Sequence, residues 1–203
     1  MSSVTEKIFD ELAEMYDSWY NRKKDIFLKE VECFRKIIDA DKPWLEVGVG
    51  SGRFAKALGI EYGLDPAKNM VELARKRGIK VFLGYGEKMP FSDEFFGAVF
   101  LIVTICFVKD PEAVLKEAWR VLKPHGKIYL GLIPRDFPLG QEYIKKGQRG
   151  HKFYSAARFF SMEEIKNLLE KTGFRITKIC YAGLEKKDFV CIEAQKKISS
   201  IKS

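Results

Sequence analysis

Apolar and polar positions along the chain change their period several times, and each change marks an element. Phe9, Leu12, Ala13, Tyr16 and Tyr20 recur at three- and four-residue spacing, which places them on one face of a helix. A second helical stretch follows at about Ile26–Ile38. From Lys42 the pattern becomes that of a short strand, Trp44–Val47, then a run with three glycines, then a short helix over Arg53–Leu58 closed by Gly59. Further strands are expected at Ile60–Leu64, Ile79–Leu83, Ala98–Ile105, Lys127–Ile133, Phe174–Tyr181 and Asp188–Ala194. Between them the sequence predicts a helix opened by Asp65-Pro66, as N-cap acid and first-turn proline, and stopped at Gly78. Asp110-Pro111 opens another, running to Leu122 and followed by a turn over Lys123–Gly126. Ser161-Met162-Glu163-Glu164 is a capping box for a helix that ends at Gly173.

Strands alternating with helices, with central strands apolar on both faces, predict an α/β fold built on a doubly wound, mostly parallel sheet of about seven strands. Only a short turn at Ala182-Gly183 separates the last two strands, so they form an antiparallel hairpin with no room for a crossover helix. Residues 1–40 are expected to form an N-terminal helical cap and residues 41–203 the core, with helices on both faces of the sheet and a lid-like insert at 134–160.

Composition supports a globular reading. Hydrophobic residues make up 46 % of the 203 and aromatics 13 %, enough for a large core, which excludes a disordered chain, a collagen-like fibre and a disulfide miniprotein. The longest apolar run, Gly97–Val108, has 12 residues against the roughly 20 a spanning helix needs. No apolar signal region opens the chain, so a soluble, cytoplasmic protein is expected. Cys33, Cys106, Cys180 and Cys191 sit among apolar neighbours without a Cys-x-x-Cys pair and are read as buried, inert thiols. With only His125 and His151 as imidazole donors, no metal site is expected. The net charge of +8 is concentrated: residues 134–158 carry Arg135, Lys145, Lys146, Arg149, Lys152 and Arg158 against Asp136 and Glu142, read as a basic surface loop.

The candidate chemistry lies where doubly wound sheets bind ligands, beyond the carboxyl ends of the strands at the point where strand order reverses. Gly48-x-Gly50-x-Gly52 follows the first strand, and Asp65 ends the second, placed to accept hydrogen bonds from both hydroxyls of a ribose. A dinucleotide fingerprint has the spacing Gly-x-Gly-x-x-Gly. Here the spacing differs, and Glu46 lies beside the loop, which suits a ligand with positive charge better than a pyrophosphate. Both features argue against a nicotinamide oxidoreductase.

Glu46-Val47-Gly48-Val49-Gly50-Ser51-Gly52 resembles motif I of the class I S-adenosylmethionine-dependent methyltransferases. Gly63-Leu64-Asp65-Pro66-Ala67 is similar to the family's second motif, and Gly84–Phe91 to the stretch around the adenine. Ala118–Gly126 is similar to its Arg-Val-Leu-Lys-Pro-Gly-Gly turn, and Tyr16-Asp17-Ser18-Trp19 to a first-helix motif that closes over the cofactor. The resemblance implies a Rossmann-like sheet with an antiparallel last strand, S-adenosylmethionine as cofactor and S-adenosylhomocysteine as product. Carried over by position, it implies cofactor contacts at Tyr16, Glu46, Gly48, Val49, Gly50, Ser51, Gly52, Asp65, Pro66, Gly86, Glu87, Met89, Ile102 and Phe107. The acceptor side is assigned Trp19, Tyr20, Arg149 and His151. The chain departs from the family pattern at Tyr85 and Gly97, where acids are usual, at His125, and at Cys106-Phe107 in place of a frequent His pair.

Alignment of donor and acceptor drives such a transfer, and a base is needed only when the acceptor must lose a proton, so no catalytic residue is assigned. A small-molecule acceptor is expected. The alternatives are an RNA methyltransferase, suggested by the charge, and a non-catalytic S-adenosylmethionine-binding protein. Against the former, no Asn/Asp-Pro-Pro-Tyr/Phe motif follows the fourth strand, no Pro-Cys pair is present, and no RNA-binding module is recognisable.

Overall fold

A computed structural model describes residues 4–183 and 188–197. Three helices lead in: α1 (Val4–Glu11), α2 (Ala13–Arg22) and α3 (Lys24–Ile37). The apolar stripe from Phe9 to Tyr20 is thus split, because Leu12 leaves helical geometry at φ −110° and ψ 20°. The amides of Leu12 and Tyr16 still bond across the break, to Ile8 O and Leu12 O. Then β1 (Trp44–Val47), α4 (Arg53–Leu58), β2 (Tyr62–Asp65), α5 (Lys68–Lys76) and β3 (Lys80–Leu83) build the first half. The second half is β4 (Phe96–Ile102), α6 (Pro111–Val121), β5 (Leu122–Leu132), α7 (Pro138–Gln148), α8 (Lys152–Ser155), α9 (Met162–Lys171), β6 (Phe174–Ala182) and β7 (Phe189–Lys196).

The strands form one sheet in the order β3-β2-β1-β4-β5-β7-β6. Neighbours from β3 through β5 are parallel, and β7 runs antiparallel to both β5 and β6. Alternation along β4 feeds both faces: Val99 and Leu101 join the core beneath α6 and α9, while Ala98, Phe100 and Ile102 join the one beneath α3, α4 and α5. Order reverses between β1 and β4, so their carboxyl ends open one crevice.

Five expectations are corrected. The segment at 134–158 is not a loop but carries α7 and α8, with Pro138 in the first turn of α7 and Lys145 and Lys146 in its last. Asp65 does not cap α5, whose N-cap is Ala67; its carboxylate turns back toward the glycine loop instead. Strand β4 ends at Ile102, because Val103 turns the chain with φ 53°, a strained value for a β-branched residue. Strand β5 begins at Leu122 and absorbs the expected turn, since Leu122 pairs with Phe96 and its carbonyl accepts from Lys196 Nζ. Only Cys33 and Cys191 are buried, while Cys106 and Cys180 are half-buried. The turn between the last strands lies partly outside the described residues, but Asp188 N donates to Ala182 O and closes the hairpin. Gly97 has a packing reason: a β-carbon there would run into the carbonyl of Asp41.

Candidate functional site

At the end of β1 the chain folds back on β2, with Gly48 N and Val49 N both donating to Leu64 O at 2.7 and 3.1 Å. Gly48, Gly50 and Gly52 all take positive φ, and a β-carbon on Gly48 would strike the Thr104 side chain across the crevice. The loop is therefore bare backbone facing the carboxyl end of β4. Asp65 braces it: one carboxylate oxygen accepts from Gly50 N at 2.8 Å and the other from Ala67 N at 2.9 Å. Burial raises the Asp65 carboxyl to about 6 despite those two amides. Glu46 is 2 % exposed, and its Oε2 has no hydrogen-bond partner among the described residues. Burial pushes its carboxyl well above the usual range. Such an orphan is costly unless a ligand satisfies it.

A second acid ties the helical cap to this loop. Asp17 on α2 accepts from Ser51 Oγ (2.5 Å), Arg53 Nε and Nη2 (2.7 and 2.8 Å) and Arg77 Nη2 (2.8 Å), and Arg77 Nη1 also donates to Ser51 O at 2.6 Å. Burial alone would raise its carboxyl, but the bonds from Arg53, Ser51 and Arg77 prevail and hold it well below the usual range. Helix α1 is fastened alongside: Asp10 accepts from the Asn69 amides at the start of α5, and Tyr85 donates to Glu6.

Beyond Val103 lies a cavity of about 760 Å³, within the range of small-molecule sites. Its walls come from α2, α3, the residues after β4, the end of β5, the insert helices and the β6–β7 turn. Aromatic rings close one end, where Phe9 of α1 packs on Tyr16, Phe107 and Phe153 at 5.3, 4.9 and 5.3 Å between centroids. Cap and insert thus meet above Phe107. Tyr16 and Tyr20 share a 3.0 Å hydroxyl contact, and burial raises both phenols. Cys106 lines the same space, but burial pushes its thiol up to about 12, so it is no nucleophile at neutral pH.

The structure gathers most of the sequence-assigned residues around the switch point and the adjoining cavity. Glu46, the glycine loop, Asp65 and Ile102 converge on the switch point, with half-buried Pro66 beside Asp65. Val49 turns its side chain into the core, leaving only its backbone to the loop. Gly86 is buried beyond the end of β3. The Glu87 carboxylate is taken up by the amides of Lys109 and Asp110, and Met89 is a core residue whose amide donates to Glu117. Tyr16, Trp19, Tyr20, Phe107 and His151 line the cavity, His151 stacking on Tyr154 at 4.2 Å. Arg149 is exposed and outside it. Sequence reasoning missed Asp17, Thr104 and Glu30. Of these, Glu30 carried a legible sign: with Cys33, Phe34 and Ile37 it occupies the buried stripe of α3. Among the described residues no cluster suited to a metal ion occurs, and no helix is long and apolar enough to cross a membrane.

Comparison with known proteins agrees with this geometry. Residues 45–130 match the family model described as a methyltransferase domain. An uncharacterized protein of Methanocaldococcus jannaschii is 40 % identical over 186 residues, 90 % of each chain. A Desulfotalea psychrophila ubiquinone/menaquinone biosynthesis C-methyltransferase is 28 % identical, over 83 % of this chain and 81 % of its own. Among solved structures, a Thermotoga maritima S-adenosylmethionine-dependent methyltransferase, described as a possible histamine N-methyltransferase, superposes with a TM-score of 0.89 at 36 % identity, covering 94 % of this chain and 99 % of that one. Sheet order, switch-point glycine loop and these matches concur: the chain belongs to the class I S-adenosylmethionine-dependent methyltransferases.

Proposed function

We propose that this methyltransferase acts on a small molecule held in the cavity beside Val103 and Phe107. The observation that carries the reading is the cavity itself, about 760 Å³ and walled by cap, strand ends and insert, which suits a compact acceptor. The N-terminal cap and the insert at 134–160 act as its two covers.

The residues present fit the cofactor. Asp65 has spare lone pairs on both oxygens for ribose hydroxyls, the loop at Gly48–Gly52 admits a ligand against bare backbone, and the unpartnered Oε2 of Glu46 suits an ammonium. Gly86 and Ile102 border the nucleoside side, and Tyr16 and Phe107 stand between it and the acceptor. S-adenosylmethionine, when bound, supplies a methyl group on a sulfonium whose sulfur leaves as a neutral thioether. Trp19, Tyr20 and His151 shape the acceptor's space, and the aromatic cover of Phe9, Phe107 and Phe153 keeps water from it. The Desulfotalea relative is named a C-methyltransferase and the Thermotoga structure is described as a possible N-methyltransferase, so the relatives support a small acceptor without fixing its atom.

The test supplies methyl-labelled S-adenosylmethionine with either a low-molecular-weight metabolite extract or total RNA. Label entering the metabolite fraction supports the reading. Label entering RNA alone overturns it, and binding without transfer to either favours a non-catalytic role.

A further inference from the structure

Glu30 stands on the inner side of α3, 7 % exposed, and lines the acceptor cavity. It makes no hydrogen bond or ion pair with any described residue, although most buried carboxylates in folded proteins are paired. It faces Tyr16 and Tyr20 from α2, Cys33 from its own helix, Tyr143 from α7 and Cys191 from β7, all of which sense its charge or impose theirs on it. None of these is a cation. Arg22, Lys23 and Lys29 line the same cavity but are exposed and leave Glu30 unpaired. The tyrosine pair also senses Glu46, so two acids act on it: Glu46 beside the glycine loop, whose buried Oε2 has no partner among the described residues, and Glu30 in the wall of the acceptor cavity.

A carboxylate without a protein partner in an aromatic chamber is poorly solvated there, and a ligand cation would supply the missing partner. We infer that Glu30 recognises the acceptor, that the acceptor is a primary or secondary amine on an apolar or aromatic body, and that Glu30 takes the proton the ammonium must lose. This rests on the small-molecule reading above. The proton step balances simply: one N–H bond breaks, its electron pair stays on nitrogen as the lone pair for the methyl carbon, and an O–H bond forms on a Glu30 oxygen. The proton then leaves through the cavity mouth. Burial and the neighbouring Cys33 raise the Glu30 carboxyl to about 8, so at pH 7 an arriving ammonium first displaces the acid's own proton to solvent, and the carboxylate so formed is basic enough to take the amine's proton. The stacked rings of Tyr143 and Tyr154, 4.2 Å apart, and the faces of Trp19 and Tyr20 offer the apolar body its contacts.

The experiment uses the full chain saturated with S-adenosylhomocysteine and titrates it calorimetrically with tryptamine, tryptophol and indole-3-acetate. Tryptamine and tryptophol differ only in carrying an ammonium or a hydroxyl, and indole-3-acetate ends a two-carbon side chain in a carboxylate. Wild type is expected to bind the amine about tenfold or more tightly than the alcohol, and Glu30→Gln to lose that preference. S-adenosylhomocysteine affinity should be equal in both proteins. No preference for the amine in wild type, or a preference that survives Glu30→Gln, overturns the inference. Failure of wild type to bind S-adenosylhomocysteine would instead overturn the cofactor reading. Thermal unfolding at pH 8.5 separates ligand recognition from a structural role: Glu30→Gln should melt higher than wild type, having lost an unsatisfied charge. A lower melting temperature would mean that Glu30 holds the fold, and would sink the proposal.

Discussion

Both oxygens of Asp65 already accept a backbone amide, so the residue holds its own loop in shape before any ligand arrives. Hydrogen bonds to a charged acceptor contribute about 1.5–3 kcal/mol each, and ribose hydroxyls would use the remaining lone pairs. Asp65→Ala is therefore expected to weaken S-adenosylhomocysteine binding at least about a hundredfold, while the far-UV circular dichroism stays that of wild type. Since burial sets the carboxyl at about 6, affinity should also fall as pH drops from 7 to 5, the protonated acid being the poorer acceptor. A binding constant flat over that range would contradict this. Sequence made Asp65 legible because it ends a strand inside one recognisable motif and its partners, Gly50 and Ala67, lie in that motif and the glycine motif before it. The role of Asp17 was not, although it lies in the Tyr16–Trp19 motif, because its partners Ser51, Arg53 and Arg77 are 34, 36 and 60 residues away. Glu30 was partly legible, as a polar residue on an apolar stripe, a conflict that often marks function.

Elements differ in how far pattern alone reveals them. Strand β4 is buried along its whole length, and so are residues 45–47 of β1 and 128–132 of β5, largely apolar runs whose period needs no tertiary context. Helix α7 was missed because Gly140 and Gly147 lower its propensity, yet both glycines answer to packing: a β-carbon at Gly140 would meet the carbonyl of Pro134, and one at Gly147 would come within 2.7 Å of Tyr154 O. The split at Leu12 likewise comes from tertiary packing, as α1 turns to reach α5 and α8. The join between α2 and the glycine loop through Asp17 predicts a mechanical role for the cap. Asp17→Asn should cost about 1–3 kcal/mol of stability by removing charge-assisted bonds from Arg53 and Arg77. It should also speed amide exchange across α1 and α2 and raise the dissociation rate of S-adenosylhomocysteine, since Ser51 loses its anchor. Unchanged exchange in α1 and α2 would show that the cap is held by its aromatic contacts alone.

Across the whole molecule, two sets of acids pull stability in opposite directions with pH. Asp17, Asp39 and Glu117 are held below their ordinary values by arginine or lysine partners, so their contribution is present above about pH 4 and is lost as pH falls below it. Glu30, Glu46 and Asp65 are raised by burial, so the folded chain binds more protons than the unfolded one. Their contribution is complete below about pH 4 and is lost as pH rises, through about 6 for Asp65 and about 8 for Glu30. The ligand-free protein should therefore be most stable near pH 4 and lose at least about 2 kcal/mol between pH 5 and pH 7, or about 4–8 °C in melting temperature for a chain of this size. The three raised acids all belong to the two ligand spaces, whereas the lowered ones tie structural elements together. Saturating S-adenosylhomocysteine should consequently flatten the slope by restoring partners to Glu46 and Asp65, and the stabilisation it gives should grow from pH 5 to 7. Calorimetric melting of the free and loaded protein across that range checks both statements, and a free-protein melting temperature that rises toward pH 7 would show that these buried acids do not govern the balance.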